Sequence, residues 1–203
     1  MKRKDSKILL LIGFAILIIG MIDFTYTLFF ESPYELLWFS NGISILLGLA
    51  LVFRNRLFMG AMLITSTVEV PRIIDFFSRL IFGAGVFGNA TEYMFKDFGF
   101  RSINFYMELD HIIVVPIALY GAYKIGVHKK SYLISSTHAI LLNILTFFIA
   151  PPSKNINCIY YLCSMKEDLF KINDAAYLII WTALLCIAAY LLNKVAIKFF
   201  KHK

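Results

Sequence analysis

The sequence predicts an all-α protein of the membrane, a single bundle of six transmembrane helices. Hydrophobic residues make up 60% of the 203-residue chain and charged residues only 16%, and the mean hydropathy is +0.74. Soluble domains are far more polar. Because a bilayer core of roughly 30 Å takes about 20 apolar residues per helix, the chain can hold several spans and little else. We therefore expect one integral membrane domain over residues 1–203.

Six apolar runs, separated by polar or Pro- and Gly-containing connections, predict the helices in chain order. Each run is apolar on all sides of a helix, whereas the strands of a membrane barrel are short and alternate. The first run follows a basic stretch, but it is too long for a signal peptide and no small-residue cleavage site follows it. The predicted spans are about 8–30, 35–53, 57–82, 103–123, 131–150 and 175–200.

Lysine and arginine are concentrated in the connections on one side of the predicted bundle, which hold thirteen of the twenty basic residues. Short basic connections normally face the cytoplasm, so both termini are expected there. The net charge of +7 then reflects this topology and contact with anionic lipid headgroups. Because the basic residues lie in four separate segments, membrane lipids are expected as partners and nucleic acid is not.

Ionisable residues inside the predicted spans are the most informative feature. A charge at bilayer depth costs at least ~2.5–3.5 kcal/mol unless it faces a partner or water. In the third span, Glu69, Arg72, Asp75 and Arg79 follow one another at intervals of three or four residues, so they share a helix face. Their signs alternate, so a self-neutralising ladder that only holds the helix in the bundle is the structural alternative to a functional role.

Polar groups from four predicted helices fall at similar depth, in the outer half of the bilayer, when each residue is counted as 1.5 Å of helix. Unrelated polar residues would lie at unrelated depths. A common layer therefore predicts a polar cavity that opens outward or into the outer leaflet. The residues predicted to bind a ligand in this cavity are Asn41, Glu69, Arg72, Asn143 and the somewhat deeper His138.

The fourth span, within FYMELDHIIVVPIALYGAYK, adds Glu108, Asp110 and His111. His111 and Glu108 are three residues apart and share a face, whereas Asp110 points about 100° away. A carboxylate fixes the tautomer of an imidazole and raises its basicity, as general-base catalysis requires. We therefore predict that His111 is a catalytic base and that Asp110 or Glu108 orients it.

Two of the three cysteines, Cys158 and Cys163, fall in the connection PPSKNINCIYYLC, which is predicted to face outward. A disulfide between them is feasible there. Two cysteines five residues apart, with no histidine or further cysteine nearby, make a poor zinc site.

The spacing of the histidine and acidic residues does not match known metal or cofactor sites. His111, His138, Glu69 and Asp110 could supply mixed nitrogen and oxygen ligands, but they lack the spacing of known metal motifs, so no metal is assigned. The chain also lacks a Gly-rich phosphate loop and a serine-hydrolase elbow. No cofactor is expected.

The run DHIIVVP, from Asp110 to Pro116, resembles the fourth helix of the androgen-induced integral-membrane hydrolases, in which a histidine is followed five residues later by a proline. That family has six spans and cytoplasmic termini, and it hydrolyses fatty acid esters of hydroxy fatty acids with an intramembrane threonine and histidine. The resemblance covers the number of spans, the topology and this motif. It implies that His111 is the base.

The nucleophilic threonine of that family lies early in the second helix, where this chain has WFSNGIS and no threonine. A hydroxyl activated by histidine needs only reach and alignment. Ser40 or Ser44 is therefore the predicted nucleophile, and Thr65 and Thr67 are less direct candidates.

Together these features predict a hydrolase or acyltransferase of the membrane that acts on a lipid-like or small-molecule acyl ester. Ser40 or Ser44 would attack the carbonyl carbon and His111 would take the proton. Arg72 or Asn41 would stabilise the oxyanion.

Three alternatives remain open. Related six-span membrane acyltransferases use a cysteine and a histidine, for which the chain offers Cys158 or Cys186. In a small transporter or channel, Glu69, Asp110 and His111 would relay protons or bind a cation. In a structural or assembly protein, the buried charges would only fix the positions of the helices.

Overall fold

Helices account for all the regular structure in the described part of the chain. The computed structural model describes residues 3–86, 91–98, 102, 105–106, 108–162 and 173–200. Short 3₁₀ or π turns lie at Pro33–Leu37, Thr67–Glu69, Met94–Phe98, Pro152–Lys154 and Ile156–Cys158. The α-helices are α1 (Arg3–Phe30), α2 (Phe39–Phe53), α3 (Arg56–Ser66), α4 (Val70–Phe82), α5 (Leu109–Ile125), α6 (Ser131–Ile149) and α7 (Asp174–Phe199).

Four helical stretches in the described residues are long and apolar enough to cross a membrane: Ser6–Phe30, Arg56–Phe82, Ser131–Ile149 and Asp174–Phe199. They match the first, third, fifth and sixth predicted spans. The helix α2 is apolar but has only 15 residues, and α5 has 17. The all-α prediction is confirmed, with four candidate spans where the sequence predicts six.

Two predicted spans differ in detail from the structure. The second is predicted from residue 35, but Pro33–Leu37 forms a separate 3₁₀ turn and Trp38 is extended with ψ of 140°, so α2 begins at Phe39. The third changes from α to 3₁₀ geometry at Thr67–Glu69 before α4 begins. Pro71 lacks the N–H that would donate to the carbonyl four residues earlier, so α-helical hydrogen bonding is interrupted there.

The core of the bundle is formed by α1, α2, α3 and α5. The first two helices approach closely because small residues line their contact, as is common between membrane helices. A Cβ added to Gly48 would lie 2.8 Å from the backbone nitrogen of Leu17 and 2.9 Å from the carbonyl oxygen of Gly13. Buried core side chains include Leu9, Ile16, Ile43, Leu47, Met59, Met62, Val114 and Ala118.

Side-chain to backbone hydrogen bonds gather several helix termini at one end of the bundle. A terminal nitrogen of Arg54 donates to the carbonyl of Ser6 at 3.1 Å, which joins the end of α2 to the start of α1. Arg56 Nε donates to the carbonyl of Ile125 at 3.0 Å, which joins the start of α3 to the end of α5. Asn193 Nδ2 donates to the carbonyl of Lys129 at 2.9 Å, next to the start of α6. The first helix therefore starts, and the last helix ends, at the same end of the bundle.

Asn157 fixes the start of α2 at the opposite end. Its Oδ1 accepts a hydrogen bond of 2.9 Å from the backbone N–H of Phe39, and its Nδ2 donates to the carbonyl of Leu37 at 2.7 Å. The indole N–H of Trp181 in α7 donates to the carbonyl of Asn157 at 2.9 Å. One asparagine thus caps the first turn of α2 and ties it to α7, because a helix start leaves N–H groups that need acceptors.

The cysteine next to this asparagine, Cys158, is disulfide-bonded. Cys186 in α7 has a free thiol. Cys163, the predicted partner of Cys158, lies outside the described residues.

We expect Gly48→Ala to destabilise the protein by about 1–3 kcal/mol, because the added methyl group would force α1 and α2 apart. The measurement is the unfolding temperature in detergent micelles. Gly42→Ala, in the same helix, is the matched control, because a Cβ at Gly42 meets nothing within 4 Å. Equal unfolding temperatures for the two variants would contradict the close packing of α1 on α2.

Candidate functional site

The end of the bundle opposite the chain termini holds a cluster of ionisable side chains around His111. The helix α5 begins at Leu109 rather than at residue 103, so Glu108 immediately precedes it. The Nε2 atom of His111 lies 3.5 Å from Asp110 Oδ1 and 3.7 Å from Glu108 Oε2. Its Nδ1 atom lies 4.0 Å from Glu69 Oε2. Both ring nitrogens therefore face carboxylates.

Arg72 supplies positive charge to this cluster. Its Nε lies 3.5 Å from Glu69 Oε2, and its Nη1 lies 3.7 Å from Glu108 Oε2. Glu69 and Arg72 are three residues apart and pair across one helix face, as their spacing predicts. Because Arg72 also reaches Glu108, it links the start of α4 to the start of α5.

Ser44 and Asp110 connect α2 to α5 within the same cluster. Ser44 Oγ donates a hydrogen bond of 2.7 Å to Asp110 Oδ2. Both residues are almost fully buried, and Asp110 Oδ1 has no hydrogen-bond partner among the described residues. Neighbouring helix positions are about 100° apart, which predicts that Asp110 points away from His111. The Asp110 carboxylate nevertheless reaches Nε2 of the His111 ring.

Tyr93, in the connection between α4 and α5, donates a hydrogen bond of 2.5 Å from its phenol to Glu108 Oε2. Burial, together with the nearby Glu108 carboxylate, raises the pKa of Tyr93 above its usual range. The phenol therefore keeps its proton and stays a donor at neutral pH. A single oxygen of Glu108 is thus shared by Tyr93, Arg72 and His111.

A polar cavity of about 460 Å³ opens beside the cluster. In the wall of this cavity the Glu35 carboxylate accepts hydrogen bonds from Trp38 Nε1 at 2.7 Å and from Lys154 Nζ at 3.3 Å. Glu31 and Ser32 also line it, so acidic and hydroxyl groups face the cavity on several sides. Of the predicted site residues, Ser40, Asn41, Arg72, Glu108 and His111 line this cavity.

An apolar cavity of about 430 Å³ adjoins the polar one. The two share Trp38, Ser40 and Arg72 as lining residues. The remaining wall of the apolar cavity is mostly aromatic and aliphatic, with Trp181 and Leu185 contributed by α7. Ser40 therefore lies at the junction between polar and apolar space.

Two predicted binding residues lie away from the cluster. Asn143 Nδ2 donates a hydrogen bond of 2.9 Å to Thr182 Oγ1, which links α6 to α7. The His138 ring packs edge-on against Phe39, with ring centroids 5.9 Å apart. Neither side chain lines the polar cavity.

Asp75, although it is spaced to share a face with Glu69 and Arg72, also leaves the cluster. Its carboxylate accepts hydrogen bonds from the backbone N–H of Val86 at 2.7 Å and from the N–H and hydroxyl of Thr91 at 2.9 and 2.8 Å. It therefore holds the connection that follows α4.

The hydroxyls of the two predicted nucleophiles have other partners. Ser44 is bonded to Asp110, and Ser40 Oγ donates to Asn41 Oδ1 at the longer distance of 3.3 Å. Asn41 Nδ2 in turn donates to the Glu35 carbonyl at 2.7 Å. Within the described ranges, neither ring nitrogen of His111 is hydrogen-bonded to a hydroxyl.

Asp23 and Tyr93 complete the site, and the sequence reasoning missed both. Asp23 is a buried carboxyl group of α1 near Asp110 and Glu108. A lone carboxylate in an apolar run is a signal that the sequence does carry. Tyr93 lies in a mixed aromatic and charged connection, where no local pattern marks it.

The cluster has the groups that proton transfer needs. Carboxylates at these distances orient an imidazole and stabilise the positive charge that it carries after taking a proton. Among the described residues, no group of three or more His, Cys, Asp or Glu side chains is arranged to hold a metal ion.

Comparison with known proteins finds no relative. No protein-family model, no curated protein and no solved structure matches this chain. The resemblance to the androgen-induced hydrolases therefore stays a prediction, and a function has to be argued from the cluster and the two cavities.

We expect Ser44→Ala to lower the free energy of unfolding by about 1–3 kcal/mol, because it removes the hydrogen bond to Asp110 and leaves a buried carboxylate unsatisfied. Ser40→Ala is the matched control in the same helix, and its long bond to Asn41 predicts a change of less than about 0.5 kcal/mol. Thermal unfolding in micelles measures both. A larger loss for Ser40→Ala would contradict these different roles.

Proposed function

We propose that this chain cleaves or transfers the acyl group of an ester-containing lipid, with Ser40 as nucleophile and His111 as general base. The observation that carries this proposal is the junction of the polar and apolar cavities at Trp38, Ser40 and Arg72. An amphiphile with its polar part in the first cavity and its chain in the second would hold its ester bond beside Ser40.

Ser40 is preferred to Ser44 because of where the two hydroxyls lie. Ser40 lines both cavities, and among the described residues its hydroxyl makes one long hydrogen bond. Ser44 is fully buried and bonded to Asp110. In the proposed mechanism Ser44 therefore positions Asp110, and Ser40 meets the substrate.

The reaction would follow the usual course of serine acyl transfer. Ser40 Oγ forms a bond to the carbonyl carbon while its proton passes to a ring nitrogen of His111. The tetrahedral oxyanion then collapses, the ester C–O bond breaks, and His111 returns the proton to the leaving alcohol. Water, or a second alcohol, releases the acyl group from Ser40 by the same steps in reverse.

The remaining cluster residues would support His111 and the oxyanion. Glu108, Asp110 and Glu69 would orient the imidazole and stabilise its protonated form. Arg72 lines both cavities and is the preferred oxyanion donor. Because Ser40 and His111 line one cavity without a hydrogen bond between them, substrate would have to bring them together, as is common when catalytic hydrogen bonds tighten only in the complex.

This proposal belongs to the same reaction class as the resemblance to the androgen-induced hydrolases, which also implies His111 as the base. The nucleophile differs, since serine replaces the threonine of that family.

A proton-coupled transporter is the second candidate, because three carboxylates and one arginine surround His111. Such clusters inside membranes serve as proton relays. Transport predicts a pH-dependent flux in proteoliposomes together with no reaction at Ser40.

We further propose six spans with both termini in the cytoplasm, so that α2 and α5 also cross the membrane. At 1.5 Å per residue their 15 and 17 residues give about 22 and 25 Å, short of a bilayer core of about 30 Å but extended by the turns that precede them. The hydrogen bonds that join helix termini at one end support alternating helix directions.

The topology predicts that Ala84→Cys reacts with a membrane-impermeant maleimide in intact cells, because the α4–α5 connection would be external. Lys130→Cys, in the α5–α6 connection, should react only after permeabilisation. The unsubstituted chain corrects for its native cysteines. If only the four longer stretches crossed the membrane, Ala84→Cys would be protected in intact cells.

The catalytic proposal predicts that a fluorophosphonate probe labels the protein in membranes and that Ser40→Ala abolishes the labelling. His111→Ala should slow labelling by about 10²-fold or more, the usual contribution of a general base. The matched controls are Ser32→Ala, in the polar cavity, and His138→Ala, outside it, and both should still be labelled. Unchanged labelling of Ser40→Ala would refute the assignment of the nucleophile.

A further inference from the structure

The apolar cavity next to Ser40 is the first of three neighbouring cavities along α7, which together we call the groove. It shares Phe39, Val68 and Leu185 with a narrow cavity of about 60 Å³. That narrow cavity shares Ile64, Thr67 and Leu192 with a third cavity of about 410 Å³. We call these sections the first chamber, the waist and the second chamber.

The groove follows α7 and is long enough for an extended chain. Trp181 lines the first chamber and Phe199 lines the second, and these residues are eighteen positions apart, or about 27 Å of helix. All three sections have mainly apolar walls. Among the described residues, the first chamber shares Trp38, Ser40 and Arg72 with the polar cavity, and the other two sections share none.

The waist is narrow but lined on one side by small residues. At about 10–15 Å³ per water-sized group, its 60 Å³ admits about four to six such groups, which suits one methylene chain and not two. Ala188 and Ala189 of α7 and Ala139 of α6 form part of its wall. Larger side chains at these positions would close it.

From this geometry we propose that the groove binds one acyl chain of the lipid ester and that the waist selects the chain by length. A short acyl chain ends in the first chamber, whereas a palmitoyl chain passes the waist and reaches the second chamber. This inference depends on the proposed function for the ester at Ser40. The occupant follows from the first chamber sharing Trp38, Ser40 and Arg72 with the polar cavity, which gives an amphiphile one place for its head and a neighbouring one for its tail.

The first test measures occupancy without turnover. The full chain is reconstituted with phosphatidylcholine that carries a diazirine at the last carbon of its palmitoyl chain, and photolabelled residues are mapped. The proposal predicts labelling at Leu192, Val195 or Phe199 in the second chamber. Ala188→Phe should reduce this labelling several-fold and move it to the first chamber.

Ala183→Phe is the matched control. Ala183 is an equally exposed alanine of the same helix that lines none of the three sections, so it should leave the labelling unchanged. Second-chamber labelling that persists in Ala188→Phe would overturn the proposal. So would uniform labelling that includes lipid-facing residues of α1 such as Leu11 and Ile18.

The second test separates this inference from the proposed function. With 4-methylumbelliferyl palmitate and butyrate as substrates, Ala188→Phe should lower kcat/KM for palmitate at least about tenfold relative to butyrate, since pocket volume discriminates chains by such factors. An unchanged ratio overturns the groove assignment. Labelling that shifts as predicted, in a protein that turns over neither ester, supports the groove and refutes the hydrolase.

Discussion

A charge buried between helices has to be neutralised by a partner, and this requirement organises the end of the bundle around His111. Arg72 reaches two carboxylates, Glu69 and Glu108, that belong to different parts of the chain. Tyr93 and Ser44 each donate a hydrogen bond to one of the acidic groups, Glu108 and Asp110. Because these partners come from α2, α4, α5 and the connections beside them, none of these elements can shift without exposing a charge to an apolar neighbour.

The apolar cavity next to the polar cluster narrows the kind of ligand that the site fits. A wet cavity alone would suit an ion or a small solute, and an apolar groove alone would suit any lipid chain. Their junction at Ser40 suits a molecule that combines both characters. The start of α2, which carries Ser40, is held in place by Asn157 and through it by Trp181. The long apolar helix α7 and the polar cavity are thus linked through the start of α2.

Helical spacing correctly predicts the contact of Glu69 with Arg72, but Asp75, on the predicted same face, is turned toward Val86 and Thr91. The depth of a residue along its helix predicts less well which residues meet, because depth does not determine the direction in which the side chain points. Asn143 lies at a depth similar to the cluster but points toward α7. Asp23, like the acidic residues that were predicted to form the site, is an ionisable residue inside an apolar span, and it should have been predicted with them. Asn157 could not be predicted, because its partner Phe39 is 118 residues away and no local pattern records so distant a contact.

That long separation between Asn157 and Phe39 has a consequence for biosynthesis. The first turn of α2 receives its acceptor only after the segment following α6 has left the ribosome and entered the bundle. Until then the hydroxyl of Ser40 sits on an unfinished helix start. A nascent or truncated polypeptide that ends before α7 would also lack the wall of the groove. The proposed nucleophile therefore reaches its final position only when the last part of the bundle has been made.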